Sequence, residues 1–192
     1  MSGASTVEAA VRASYAWARR VPDAGACVAL HLGDEASALA WGTGAEPDGV
    51  AVLPLGLHTL ADRYFPGGRL SEMAIEAAIA EVEDIVMPWH GQLPPGARLV
   101  SGDAAIAELA AWAGMRGDGP WQFGTESVEH LFNRWVALAQ GRPASQDALP
   151  TTGAFSATLL VLREWLHHLG FEGITVMAGP PQASSAAGPK NS

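Results

Sequence analysis

The stretch VLPLGLHTLADRYF, residues 52–65, decides how this chain is read. Apolar residues and a proline run straight into Gly56, and a helical pattern begins at once. That junction predicts the last strand of a hairpin sheet, a tight turn at Gly56, and a helix to Tyr64 stopped by Pro66-Gly67-Gly68. Working backwards, CVALHL (27–32) and SALAWG (37–42) read as two more strands around a Gly33-Asp34-Glu35 turn. A third strand is expected from Val50 to Leu55. Two hairpins in a row make an antiparallel three-stranded meander.

Before the meander, Ser5-Thr6-Val7-Glu8 reads as a capping box, opening an Ala-rich helix that ends near Arg19 or Arg20, ahead of Pro22. After the meander, Ser71 is placed as the cap of a helix with Ile75, Ile79, Val82 and Val86 on one stripe. Glu72, Glu76 and Glu83 fall on its solvated side. Residues 97–100 form a short strand, and Asp103 caps a helix to about Trp112. The glycine-rich run 114–124, which holds Trp121, is expected to be a long connection. Thr125 is expected to cap the next helix. Residues 153–169 form the most amphipathic helix, with Phe155, Leu159, Leu162, Leu166 and Leu169 on one face and Gly170 as its stop. Residues 174–177 make the last strand, and the low-complexity tail 179–192 is expected to be disordered.

Composition narrows the function classes. The chain has 192 residues, enough for one domain with a real core, placed at 1–178. Twenty acidic residues against eleven basic ones give a net charge of -9. That balance repels a polyphosphate backbone, so nucleic-acid binding is not expected. Cys27 is the sole cysteine and sits between Ala26 and Val28, which suits a buried structural thiol. The N-terminus lacks the basic flank and apolar core of a secretory signal, and no apolar run is of membrane-spanning length. A cytoplasmic protein that avoids membranes is the expectation. No Walker loop, G-x-S-x-G or Cys/His metal spacing occurs.

A meander followed by helices, a strand, more helices and a final strand suits an α/β fold with a mixed sheet and covering helices. In this order the segments resemble the C-terminal lobe of the exopolyphosphatase and guanosine pentaphosphate phosphohydrolase (Ppx/GppA) family. The resemblance implies a ribonuclease H-like lobe of the actin-like ATPase group. VLPLGLHTLADRYF is similar to the family's S-L-P-L-G-A segment, and Glu8-Ala9 to the Glu-Ala pair of its preceding helix. ARLVSGDAAIAELA (97–110) and LLVLREWLHHLGFEGITVM (159–177) resemble its later strand–helix and helix–strand segments. The family's phosphate loop reads D-I-G-G-G-S-T-E-L. Here the same place reads His31-Leu32-Gly33-Asp34-Glu35-Ala36-Ser37-Ala38-Leu39, with only Gly33 and Leu39 in common. Glycines let backbone amides reach a phosphate, and carboxylates in their place fill the space and repel the anion. The second loop likewise has Gly102 followed by Asp103, and no arginine stands at 150–154.

The resemblance therefore places candidate ligand-binding residues at His31, Gly33, Asp34, Glu35, Ser37, His58, Gly102 and Asp103. Asp34, Glu35 and Asp103, with His31 beside them, offer oxygen ligands for Mg2+ or Mn2+ if they converge. A hairpin turn and a helix cap select the same residues, and that reading is preferred. Glu164 with His167 or His168 has metal-pair spacing but is read as a surface contact near a helix end. Trp89 and Trp121 lie in expected loops and are weak binding candidates; His90 and His130 have no local support. The favoured expectation is a stand-alone degenerate lobe acting as a non-catalytic binding or regulatory module. Its cleft face would be covered by a homodimer mate or another protein. The alternative is a metal-dependent phosphohydrolase acting on polyphosphate or a phosphorylated nucleotide.

Overall fold

The computed structural model describes residues 2–20, 25–141 and 149–177. The stop at Pro22, most of the loop before Pro150 and the tail 179–192 lie outside the described residues. Helix α1 spans Ser2–Ala18, so the Ser5–Glu8 box sits inside the helix instead of opening it. Strands β1 (Cys27–Leu32), β2 (Ser37–Gly42) and β3 (Gly49–Leu53) follow, then α2 (Leu57–Tyr64) and α3 (Glu72–Val86). The remaining elements are β4 (Arg98–Ser101), α4 (Ala104–Trp112), β5 (Trp121–Gly124), α5 (Thr125–Ala139), α6 (Gly153–Leu169) and β6 (Gly173–Val176).

The six strands lie in the order β3-β2-β1-β4-β6-β5. The expected meander is present: β1 pairs antiparallel with β2 through Ala29 opposite Ala40, and β2 with β3 through Leu39 opposite Ala51. Strands β1, β4 and β6 run parallel at the centre, and β5 closes the far edge antiparallel to β6. The sheet is mixed, as expected, with one strand more than the sequence suggests.

Period-two alternation gives the sheet two unlike faces. Cys27, Ala29, Ala38, Ala40 and Val100 point to one side, where Val7, Val11, Tyr15 and Ala18 of α1 cover them. The small residues let one helix lie close. Val28, Leu30, Leu39 and Leu99 point to the other side, into the larger core built with α2 to α6. Burial raises the pKa of Cys27, as fits a structural thiol.

Helix α6 departs from expectation. An unbroken run from Phe155 to Leu162 is buried, as are Glu164, Trp165 and Leu166. It is the central helix of the layer, touching α2, α3, α4 and α5, so its surroundings are apolar on nearly every side. Its bounds match the sequence reading and Gly170 closes it at φ 69°; the structure adds a cap at its start, where Thr152 Oγ1 accepts from Phe155 N.

Strand β5 is the larger correction. Residues 114–120 do form a glycine-rich connection, but Trp121–Gly124 pairs with β6 and buries Phe123 completely. Four residues are too short a window for alternation to show. The following helix is flanked by Gly124, and Thr125 Oγ1 donates to Phe171 O instead of capping it.

Candidate functional site: the cleft at the strand ends

The C-terminal ends of β1 and β4 meet the β1–β2 turn, the β4–α4 junction and the start of α2. This is the crevice where parallel sheets commonly hold ligands. A cavity of about 520 Å³ opens here, lined among others by Asp34, His58, Asp62, Ala105, Thr152 and Gly153. Among its described lining residues none is Lys or Arg.

His31 points from β1 toward α1's side of the sheet, and its Nδ1 lies 2.6 Å from Asp103 Oδ1. Asp103 Oδ2 accepts from Leu32 N at 2.7 Å. The hydrogen bond that His31 donates to Asp103 raises the His31 pKa, against the opposing effect of burial. Asp103 was expected to cap α4. It precedes the helix, but its side chain makes no cap bond and turns back onto β1 instead. Ser101 Oγ accepts from Asp103 N at 3.1 Å and fixes that turn. A charge-assisted bond to imidazole and a second to an amide together outweigh one cap.

The β1–β2 turn is closed on itself. Gly33 N donates to Ala36 O, and a Cβ at Gly33 would stand 2.5 Å from that same oxygen. The turn therefore needs glycine for its own geometry. Its carbonyls then cap α2: Leu57 N donates to Gly33 O and His58 N to Asp34 O. Gly56 makes this approach possible, since a Cβ there would lie 2.5 Å from Asp34 O.

The remaining candidates separate. Ser37 is fully buried and donates to Leu55 O at 2.6 Å, so its hydroxyl is spent on the sheet. Asp34 and Glu35 are exposed on the turn. His58 is exposed and lies 3.3 Å from Asp62 on the next turn of α2. A Cβ at Gly102 would meet Met177 and Ser14, so this glycine serves close packing. The structure thus joins His31 to Asp103 and places Asp34 and His58 on the cavity. Asp34, Glu35 and Asp103 do not bring ligand atoms together: among the described residues, only Glu83, Glu164 and His168 form a metal-type trio. Sequence spacing pairs Glu164 with His168, but Glu83 comes from a different helix and has no local signal. Glu164 was expected at the surface and is fully buried.

The two tryptophans expected in loops both have partners inside the chain. Trp89 packs edge-on against Trp41 at 5.5 Å, and Trp121 Nε1 donates to Arg116 O. Trp89 and His90 also border a cavity of about 940 Å³ at the opposite end of the sheet, away from the cleft.

No protein-family model matches this chain, and no curated protein matches it. Solved structures do. The Ppx/GppA phosphatase of Aquifex aeolicus, in its type II variant, superposes with a TM-score of 0.72 and 16% identity, over 88% of this chain and 59% of that one. An exopolyphosphatase from Cytophaga hutchinsonii gives 0.68 and 12%, over 89% and 60%. An exopolyphosphatase-like protein gives 0.69 and 11%, over 92% and 63%. The chain thus spans about three-fifths of the length of the structures it matches, and over that span it has the actin-like ATPase fold of the Ppx/GppA phosphatases.

Proposed function

We propose that this chain is a non-catalytic binding or regulatory module built on an exopolyphosphatase-like lobe. One observation carries the reading: four amides around the cleft, two at the start of the β1–β2 loop and two at the start of α2, already have partners inside the chain. Leu32 N is held by Asp103, Gly33 N by Ala36 O, Leu57 N by Gly33 O and His58 N by Asp34 O. A phosphate site at a turn or helix start works through free, converging amides. Here four are consumed, the nearby carboxylates of Asp34 and Asp62 repel an anion, and no Lys or Arg lines the cavity among the described residues. Asp34, Glu35 and Asp103 are not among the groups of converging ligand atoms in the described residues, which favours this reading over a metal-dependent phosphohydrolase. As part of this reading, the cleft face is covered by a second copy or another protein.

The test is phosphate release from polyphosphate, nucleotides and guanosine pentaphosphate with Mg2+ or Mn2+ supplied. The expected result is no turnover above the buffer control. Turnover that Asp34→Ala abolishes would replace this reading with the metal-dependent phosphohydrolase.

A further inference from the structure

Glu164 sits in the helix layer with no exposed side-chain surface. A carboxylate so placed requires partners. Its Oε1 accepts from Arg163 at 2.7 Å, and its Oε2 lies 3.0 Å from His168 Nε2, one turn further along α6. Glu83 reaches over from α3, and its Oε1 lies 2.9 Å from the same nitrogen. One imidazole nitrogen thus faces carboxylate oxygens from two helices. The three ligand atoms lie within 4.8 Å of one another.

We propose that Glu83, Glu164 and His168 form a binding site for one divalent transition-metal cation of the Zn2+ or Mn2+ kind. The cation takes the place of the Nε2 proton and clips α3 to α6. The donor set selects the class, because one imidazole nitrogen with two carboxylate oxygens suits first-row ions, whereas Mg2+ and Ca2+ favour oxygen alone. The spacing is close to what is needed: tetrahedral ligands about 2.1 Å from a zinc ion stand about 3.4 Å apart, so the two observed pairs open by less than about 0.6 Å. Burial is graded along an entry path. Glu164 is fully enclosed, His168 is 19% exposed and Glu83 is 40% exposed, which leaves the mouth open to solvent.

An outer layer is in place as well. Arg163 holds the second oxygen of Glu164, and Glu129 holds Arg163 at 3.0 Å. Hydrogen bonds of this kind fix the orientation of ligating carboxylates. His90 Nδ1 meets the His168 carbonyl at 2.9 Å and ties down the same turn of α6. The site lies about 22 Å along α6 from the cleft end, by helical rise, so it stands apart from the function proposed above.

The same contacts describe a plain ion-pair network when His168 is protonated, and metal titration separates the two. The full chain, stripped with chelator, is titrated with Zn2+ by calorimetry and with Co2+ by visible absorption at about pH 7.5, then at about pH 5.5. The expected result is one equivalent bound with proton release and weaker binding at the lower pH. Glu83→Gln and His168→Gln each weaken binding at least about tenfold, while His130→Gln leaves it unchanged. Glu83→Gln lies at the exposed mouth and tests the site without disturbing the buried carboxylate. Absence of binding to the wild type at millimolar metal, or wild-type affinity in Glu83→Gln, overturns the proposal.

Discussion

His31 and Asp103 show how a single side-chain pair remakes a cleft. The aspartate that begins α4 spends both oxygens on β1, one on His31 and one on Leu32 N. The pair fastens the first strand to the β4–α4 junction and removes an amide from ligand binding. It also makes stability depend on pH. The folded-state pKa of His31 is raised above the ordinary 6.5, first by the hydrogen bond it donates to Asp103, with the charges of Asp103 and Asp34 adding to it. The pair's contribution is therefore complete below the ordinary value and is lost as pH rises through the folded one. Urea unfolding across this range should show the advantage of wild type over His31→Gln shrinking as pH increases. A difference that is constant with pH would refute this account of the pair.

The junction of turn and helix around Gly56 matters at the level of elements. Helix α2 has no side-chain cap, and its first amides are satisfied by carbonyls of the β1–β2 turn. The hairpin therefore acts as the cap of a helix more than twenty residues downstream in sequence. Gly56 is extended at φ -106°, so the backbone itself does not demand glycine. Space does: a Cβ would press on Asp34 O and the Glu35 backbone at 2.5–2.7 Å. Gly56→Ala should cost about 1–3 kcal/mol, as overpacking against fixed backbone does. Denaturant unfolding checks this as a lower midpoint with an unchanged slope. A midpoint equal to wild type would show that the hairpin yields easily.

Over the whole molecule, one small helix-on-sheet core and one large helical core share a single sheet. The cleft lies at the sheet's end, where α2, α4 and α6 all begin. Among the described residues no helix is long and apolar enough to cross a membrane. The structures it resembles are longer, and this chain covers about three-fifths of them. The proposed covering of the cleft face has a direct consequence in solution. Light scattering at working concentration should give twice the chain mass, or a partner should be retained on the cleft face and released by Asp62→Arg. A chain mass without any cleft-directed partner would remove that part of the proposal.

The sequence by itself determined most of the frame. The short apolar runs CVALHL and SALAWG, set between turn residues, marked the first two strands, and the step from strand to helix at Gly56 placed the meander against the helical layer. Gly170 marked the end of α6 through chemistry that acts within one turn. Such signals are local, so a single chain displays them. The third dimension decided the rest. Strand β5 exists because β6 offers an edge and the core accepts Phe123, and α6 is central because four other helices surround it. Asp103 looks like a helix cap in sequence and becomes the partner of His31, 72 positions away. Glu83 meets Glu164 and His168 only because α3 packs on α6. Charge and hydrogen bonding act over a few ångströms whatever the separation along the chain, so these partners became visible only in the folded structure.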